Sequence, residues 1–138
     1  MKSYVIDKSG KEHILQFTPE NWVVTDIDSF TNNVPGTTFI EAIEATECKI
    51  LHKSFFENPA NLDKEELLAQ NKKLIKNTIV ATRRLALILG STAEERYLDF
   101  CNTYPTLVQR VSLKLIAAYI GVTPEYLSEL RRKLAGKS

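Results

Sequence analysis

The sequence predicts an α+β chain: a β-rich head, one long helix, and a C-terminal pair of short helices around a tight turn. Three observations carry that prediction. Residues 1–53 alternate short apolar runs with turn signals, a strand pattern. Residues 63–89 contain neither Pro nor Gly, as an uninterrupted helix requires. Residues 113–130 carry the spacing of a helix-turn-helix, with Ala117 where two helices cross closely and Gly121 where the chain must turn with φ > 0.

Taken in order, residues 3–7 and 12–17 flank residues 8–11, a hairpin with Gly10 at its turn. Residues 22–24, led by Trp22, read as a third short strand, and residues 26–31 as one helical turn. Residues 32–36 hold Pro35 and Gly36 and mark a loop. Residues 37–43 and 48–51 read as two further strands, with residues 45–47 turning between them. Five short strands bury little apolar surface by themselves, so the head is expected to draw on something missing or on a partner.

Helical structure begins at residues 54–58 and is interrupted at Pro59. The long helix follows, with a stop at Gly90. It carries two apolar series at seven-residue spacing. One is Leu68, Ile75, Thr82, Leu89; the other is Leu67, Leu74, Ala81, Ile88. Such a stripe suits self-association along the helix, with Asn71 and Thr78 weakening the seam. Ser91 and Thr92, with Glu94 and Glu95 three residues on, offer two overlapping capping boxes for a helix over residues 93–102. Tyr97, Leu98 and Cys101 are expected on one face of it. Pro105 ends it, and residues 106–111 connect to a helix capped by Ser112.

In the last pair of helices, Ile116, Ile120, Val122, Leu127 and Leu130 supply apolar contacts. Thr123 is a favourable N-cap, Pro124 suits the first helical position, and Glu125 complements the helix dipole.

The chain's 138 residues have a formal net charge of +1, but the charge is unevenly placed. Residues 1–62 hold five basic and nine acidic side chains, whereas residues 104–138 hold six basic and two acidic. A basic tail behind an acidic head suits a phosphate-contacting end joined to something else. No apolar run reaches the roughly 18–20 residues of a membrane span, and no signal-peptide pattern opens the chain, so a cytoplasmic location is expected. Cys48 and Cys101 are too few for a disulfide framework and read as small, half-buried apolar groups. His13 and His52, near strands, lack ligand-spaced partners. There is no glycine-rich phosphate loop and no nucleophile–base constellation, so neither an enzyme nor a resident cofactor is expected.

Several segments together resemble one family: Ala-Glu-Glu-Arg-Tyr-Leu (93–98), Tyr-Pro (104–105), Gln-Arg-Val (109–111) and Ile-Ala-Ala-Tyr-Ile-Gly-Val-Thr-Pro-Glu-Tyr-Leu-Ser (116–128), behind a β-rich segment and a long helix. The chain resembles the cyclic-AMP receptor protein/Fnr family of bacterial transcription regulators, in the short-tailed form of Bacteroidetes-type bacteria. Residues 2–7, 10–17 and Trp22 resemble the second half of that family's cyclic-nucleotide-binding-like β-roll. The resemblance implies a partial β-roll over residues 1–62, a dimerisation helix over 63–90, and a helix-turn-helix DNA-binding domain over 91–138. The β-roll half that precedes Met1 in relatives is not in this chain, so a truncated or degenerate sensor is expected. No arginine lies between Trp22 and His52, which removes the bidentate anchor for a cyclic phosphate and disfavours cyclic-nucleotide sensing. Many relatives follow the recognition helix with a β-hairpin wing, whereas this chain stops at Ser138.

The resemblance further implies a homodimer on a palindromic double-stranded DNA operator, with RNA polymerase as a further candidate partner, and leaves any effector ligand open. The recognition helix is expected over residues 124–134. Thr123, Glu125, Tyr126, Ser128, Glu129, Arg131 and Arg132 would be outward or flanking, and Ser112 and Lys114 are candidate phosphate contacts. Glu125 matches the family position that reads base edges, where a carboxylate accepts from a cytosine amino group. Relatives usually carry arginine where Glu129 stands, and an acid there would repel phosphate. Two alternatives stay open: a protein-interaction fragment that dimerises without strong DNA binding, and a small-molecule sensor whose pocket would be lined by Trp22, Phe30 and Phe39.

Overall fold

The computed structural model describes residues 1–57 and 63–136. It is a mixed α+β structure with a three-stranded antiparallel sheet and six helices, one of them long. The order is β1 (Lys2–Ile6), β2 (Glu12–Phe17), α1 (Ile27–Asn32), β3 (Phe39–Glu41), α2 (Lys53–Glu57), α3 (Lys64–Gly90), α4 (Ala93–Thr103), α5 (Leu113–Ile120) and α6 (Pro124–Ala135). The break expected at Pro59 lies outside the described residues.

The β1–β2 hairpin turns at Gly10, whose φ of +83° is open to glycine at no steric cost. Asp7 ties the turn by accepting from the Ser9 and Lys11 amides at 2.8 and 3.1 Å and pairing with His13 Nε2 at 2.7 Å. The His13 pairing, then the Ser9 hydroxyl, hold the Asp7 carboxyl well below the usual range. β1 is central: Lys2 faces Phe17 on β2 and Glu41 on β3. The buried Lys2 ammonium bridges Glu12 at 2.7 Å and Glu41 at 3.1 Å, one from each flanking strand.

Only three of the five expected strands form among the described residues. Residues 22–24 run without a partner strand; the Val23 carbonyl instead accepts from Asn77 Nδ2 of α3 at 2.7 Å. Residues 37–43 shorten to β3, and residues 48–51 form no strand, Ile50 being 89% exposed. A strand needs a neighbour for its amides, and beyond β3 the described chain offers none. Asp26 organises this stretch: it N-caps α1 through Ser29 and accepts the Thr37 and Thr38 amides at 2.9 Å each.

The core lies with the C-terminal helices. Tyr97 and Phe100 from α4, Tyr104, Leu107 and Val111 from the connector, Ile116, Ala117, Tyr119 and Ile120 from α5, and Leu127 and Leu130 from α6 are buried together. Ile14 and Phe17 of β2 belong to the same cluster. Phe17 is fully buried, its ring 5.3 Å from Tyr119, 5.8 Å from Phe100 and 5.9 Å from Tyr104. Burial raises the Tyr104 and Tyr119 hydroxyls above their ordinary values. The head therefore shares its packed interior with α4–α6. Arg110 of the connector adds a surface tie, reaching Glu20 at 2.6 Å and Glu44 at 2.5 Å.

Local signals account for the helix ends. Asp63 caps α3, and Thr92 with Glu95 forms the capping box of α4. Ser91 does not form the second box: it closes α3, donating through Oγ to the Leu87 carbonyl at 2.6 Å. Gly90 stays helical, so the stop falls one residue later than expected. Leu98 points outward, because the buried side of α4 is set by Tyr97 and Phe100. Cys101 is half-buried as expected, whereas Cys48 is exposed.

Candidate nucleic-acid interface

α5 starts at Ser112, whose hydroxyl accepts from the Leu115 amide at 3.4 Å. It ends at Gly121, held at φ +75°, where any other residue would bear the left-handed penalty. Thr123 then caps α6, accepting from the Tyr126 amide at 3.2 Å, and Pro124 opens the first turn. Leu127 and Leu130 seat α6 against the core beneath Ile116, Ala117 and Ile120. Val122 is half-buried, and Tyr119 is buried as well.

All nine residues singled out from the sequence (Ser112, Lys114, Thr123, Glu125, Tyr126, Ser128, Glu129, Arg131 and Arg132) are exposed. At about 100° per residue, the buried Leu127 and Leu130 define the inner side of α6, with half-buried Leu134 beside them. Glu125, Ser128, Glu129 and Arg132 then form one outward stripe, with Tyr126 and Arg131 on its two flanks. Ser112 and Thr123 lie at helix starts, where free amides and hydroxyls favour anions. Glu129 is met one turn later by Lys133 at 3.3 Å, which offsets its charge in part.

α3 has an unusual polarity. No residue of it is buried. The side it turns toward its own chain is largely polar: Gln70, Asn77, Val80, Arg84 and Leu87 are its half-buried residues. Asn77 meets Gln16 and Val23, and Lys76 lies 4.5 Å over the Trp22 ring. The apolar series faces away: Leu67, Leu68, Leu74, Ile75, Ile79, Leu85, Ile88 and Leu89 are all between 44% and 78% exposed.

Two arginines that sequence reasoning passed over hold the helices together. Arg84 of α3 donates to the Leu15 carbonyl of β2 at 2.8 Å and the Tyr119 carbonyl of α5 at 2.9 Å, stacking 4.1 Å over the Tyr119 ring. Burial lowers its pKa, with Tyr119 and Tyr104 opposing. Arg96 of α4 donates to the Ile120 carbonyl and the Ser91 carbonyl, both at 2.7 Å. Arg83 adds an ion pair with buried Asp99 at 2.5 Å.

Of the aromatic residues named for the alternative sensor pocket, Trp22 and Phe39 are packed apart. Trp22 packs on Tyr104 and Phe39 stacks on Tyr4, and the groove of about 190 Å³ beside Trp22 is lined by Glu20, Asn21, Lys73, Lys76 and Asn77. Among the described residues no cluster of metal-ligating side chains occurs, and no helix is long and apolar enough to cross a membrane. Comparison with known protein families, curated proteins and solved structures found no match.

Proposed function

We propose that the chain is a sequence-specific, double-stranded-DNA-binding transcription regulator of the cyclic-AMP receptor protein/Fnr type. It acts as a homodimer whose β-rich head is a degenerate β-roll sensor. The observation that carries this reading is the exposed outer stripe of α6, seated by Leu127 and Leu130 behind a turn at Gly121. In such a module the second helix enters the major groove, with its first residues at base edges. Glu125 and Ser128 would read bases. Ser112, Lys114, Thr123, Arg131 and Arg132 would hold phosphates, and Tyr126 would flank them.

The outward apolar side of α3 supports the dimer, because two copies packed along it would cover both stripes. A palindromic operator with half-sites roughly 34 Å apart follows. The test is selection from random duplexes followed by mobility shifts across about 50–200 mM salt, where affinity falls steeply as counterions are released. A purified chain that retards no duplex at the lowest salt overturns the reading.

A second reading, a protein-interaction fragment that dimerises without strong DNA binding, is favoured by the two carboxylates on that stripe, Glu125 and Glu129. Dimerisation in light scattering without any duplex retardation selects it.

A further inference from the structure

The last two carbonyls of α5 are both claimed by guanidinium groups from other helices. Tyr119 O accepts from Arg84 of α3, and Ile120 O accepts from Arg96 of α4. Carbonyls at a helix C-terminus have no partner within the helix and carry the negative end of its dipole, so a fixed cation there is favourable. These two lie immediately before the Gly121 turn that sets the direction of α6. α3 packs on α4, and through Arg84 it also holds the end of α5 directly. Arg84 also grips the Leu15 carbonyl, and Arg96 the Ser91 carbonyl at the α3–α4 joint.

Resting on the DNA-binding reading, we propose that Arg84 and Arg96 are positioning residues. They fix the angle between the dimerisation helix and the recognition helix, and thereby the half-site spacing the dimer accepts. The geometry makes this lever sensitive. With half-sites roughly 34 Å apart, each α6 lies about 17 Å from the two-fold axis. A rotation at the joint moves both α6 helices of a dimer, so a displacement of about 1.7 Å by each already changes their separation by one base-pair step of about 3.4 Å. A lysine supplies one point charge and cannot grip two carbonyls while lying flat on a ring.

The experiment takes the best palindrome selected by the wild-type chain and re-spaces its half-sites by one and two base pairs in each direction. Wild type is expected to lose about tenfold or more in affinity per base pair of displacement, within the usual cost of a mismatched position. Arg84→Met and Arg96→Gln are expected to lose less than about tenfold on the best site, yet to bind the whole spacing series within about threefold. Light scattering and circular dichroism establish that each variant is a folded dimer. If Arg84→Met does not fold, Arg84→Lys takes its place, with the same flattened profile expected. Folded variants that keep the wild-type spacing profile, or that lose affinity equally at every spacing, overturn the positioning role while leaving DNA binding intact. A wild-type chain that selects no duplex overturns the DNA-binding reading, and the positioning role with it.

Discussion

Replacing Phe17 with alanine tests whether the β-rich head and the C-terminal helices fold as one unit. The ring is fully buried and lies 5.3 to 5.9 Å from three other rings, those of Phe100, Tyr104 and Tyr119. Removing such a side chain forfeits its transfer free energy and leaves a void in a close-packed cluster, about 3–5 kcal/mol in comparable cores. Total stabilities of domains are about 5–15 kcal/mol, so the loss is a large fraction of the whole. At a urea m-value of about 1.5 kcal/mol per molar, a loss of about 4 kcal/mol lowers the midpoint by roughly 2–3 M. Phe39→Ala is the control, since Phe39 is half exposed and stacks on Tyr4. It should cost about 1 kcal/mol or less, the worth of one exposed aromatic pair. Urea titrations at a fixed protein concentration, followed by both far-UV and near-UV dichroism, make the comparison. The near-UV tyrosine signal of Phe17→Ala should fall with the helical signal at the lower midpoint. A midpoint shift below about 0.5 M, or one no larger than that of Phe39→Ala, would refute the shared interior.

Further expectations concern the surfaces and loops. Leu74→Glu combined with Leu85→Glu places charge in the outward side of α3 and should convert the proposed dimer to monomer in light scattering at micromolar concentration; an unchanged mass removes α3 as the dimer seam. Arg132→Ala should weaken all duplexes alike and reduce the slope of log K against log salt by about 1, the share of a single neutralised phosphate, read from mobility shifts. Thr123→Ala should cost about 1 kcal/mol in thermal or urea unfolding, by releasing the Tyr126 amide. Asp26 is held below its ordinary pKa by the Ser29, Thr38 and Thr37 amides, so its contribution is complete above its unfolded pKa of about 4 and disappears as pH falls through the lower folded value. Asp26→Asn should therefore be less stable than wild type at neutral pH and show less further destabilisation on acidification, measured by denaturation at both ends of that window.

Features written in one or two neighbouring residues were legible in the sequence. Ser112, Gly121 and Thr123 bound α5 and α6 where their chemistry puts them, and Gly10 turns the hairpin. The outward placement of Glu125, Ser128, Glu129 and Arg132 followed from the helical period once Leu127 and Leu130 were taken as the inner side. What depends on distant partners was not legible. Residues 22–24 have strand composition, but α3 offers their backbone a side-chain amide in place of a strand. Phe17 alternates like any strand residue, and nothing local says that its pocket is made by residues 100–119. The roles of Arg84 and Arg96 were hidden for the same reason, since their acceptors are main-chain carbonyls and leave no trace in residue identity.

The reversed polarity of α3 has a consequence for handling the protein. A rod of 27 residues, roughly 40 Å long, wears its greasy flank on the outside while its hydrophilic flank is consumed internally. If a second copy covers that flank, as proposed, it comes away on dilution, and melting temperature should rise with protein concentration. Nonionic detergent or other amphiphiles would compete for the same ridge. Preparations kept dilute, or stored with such additives, would then contain a species whose sticky side invites precipitation.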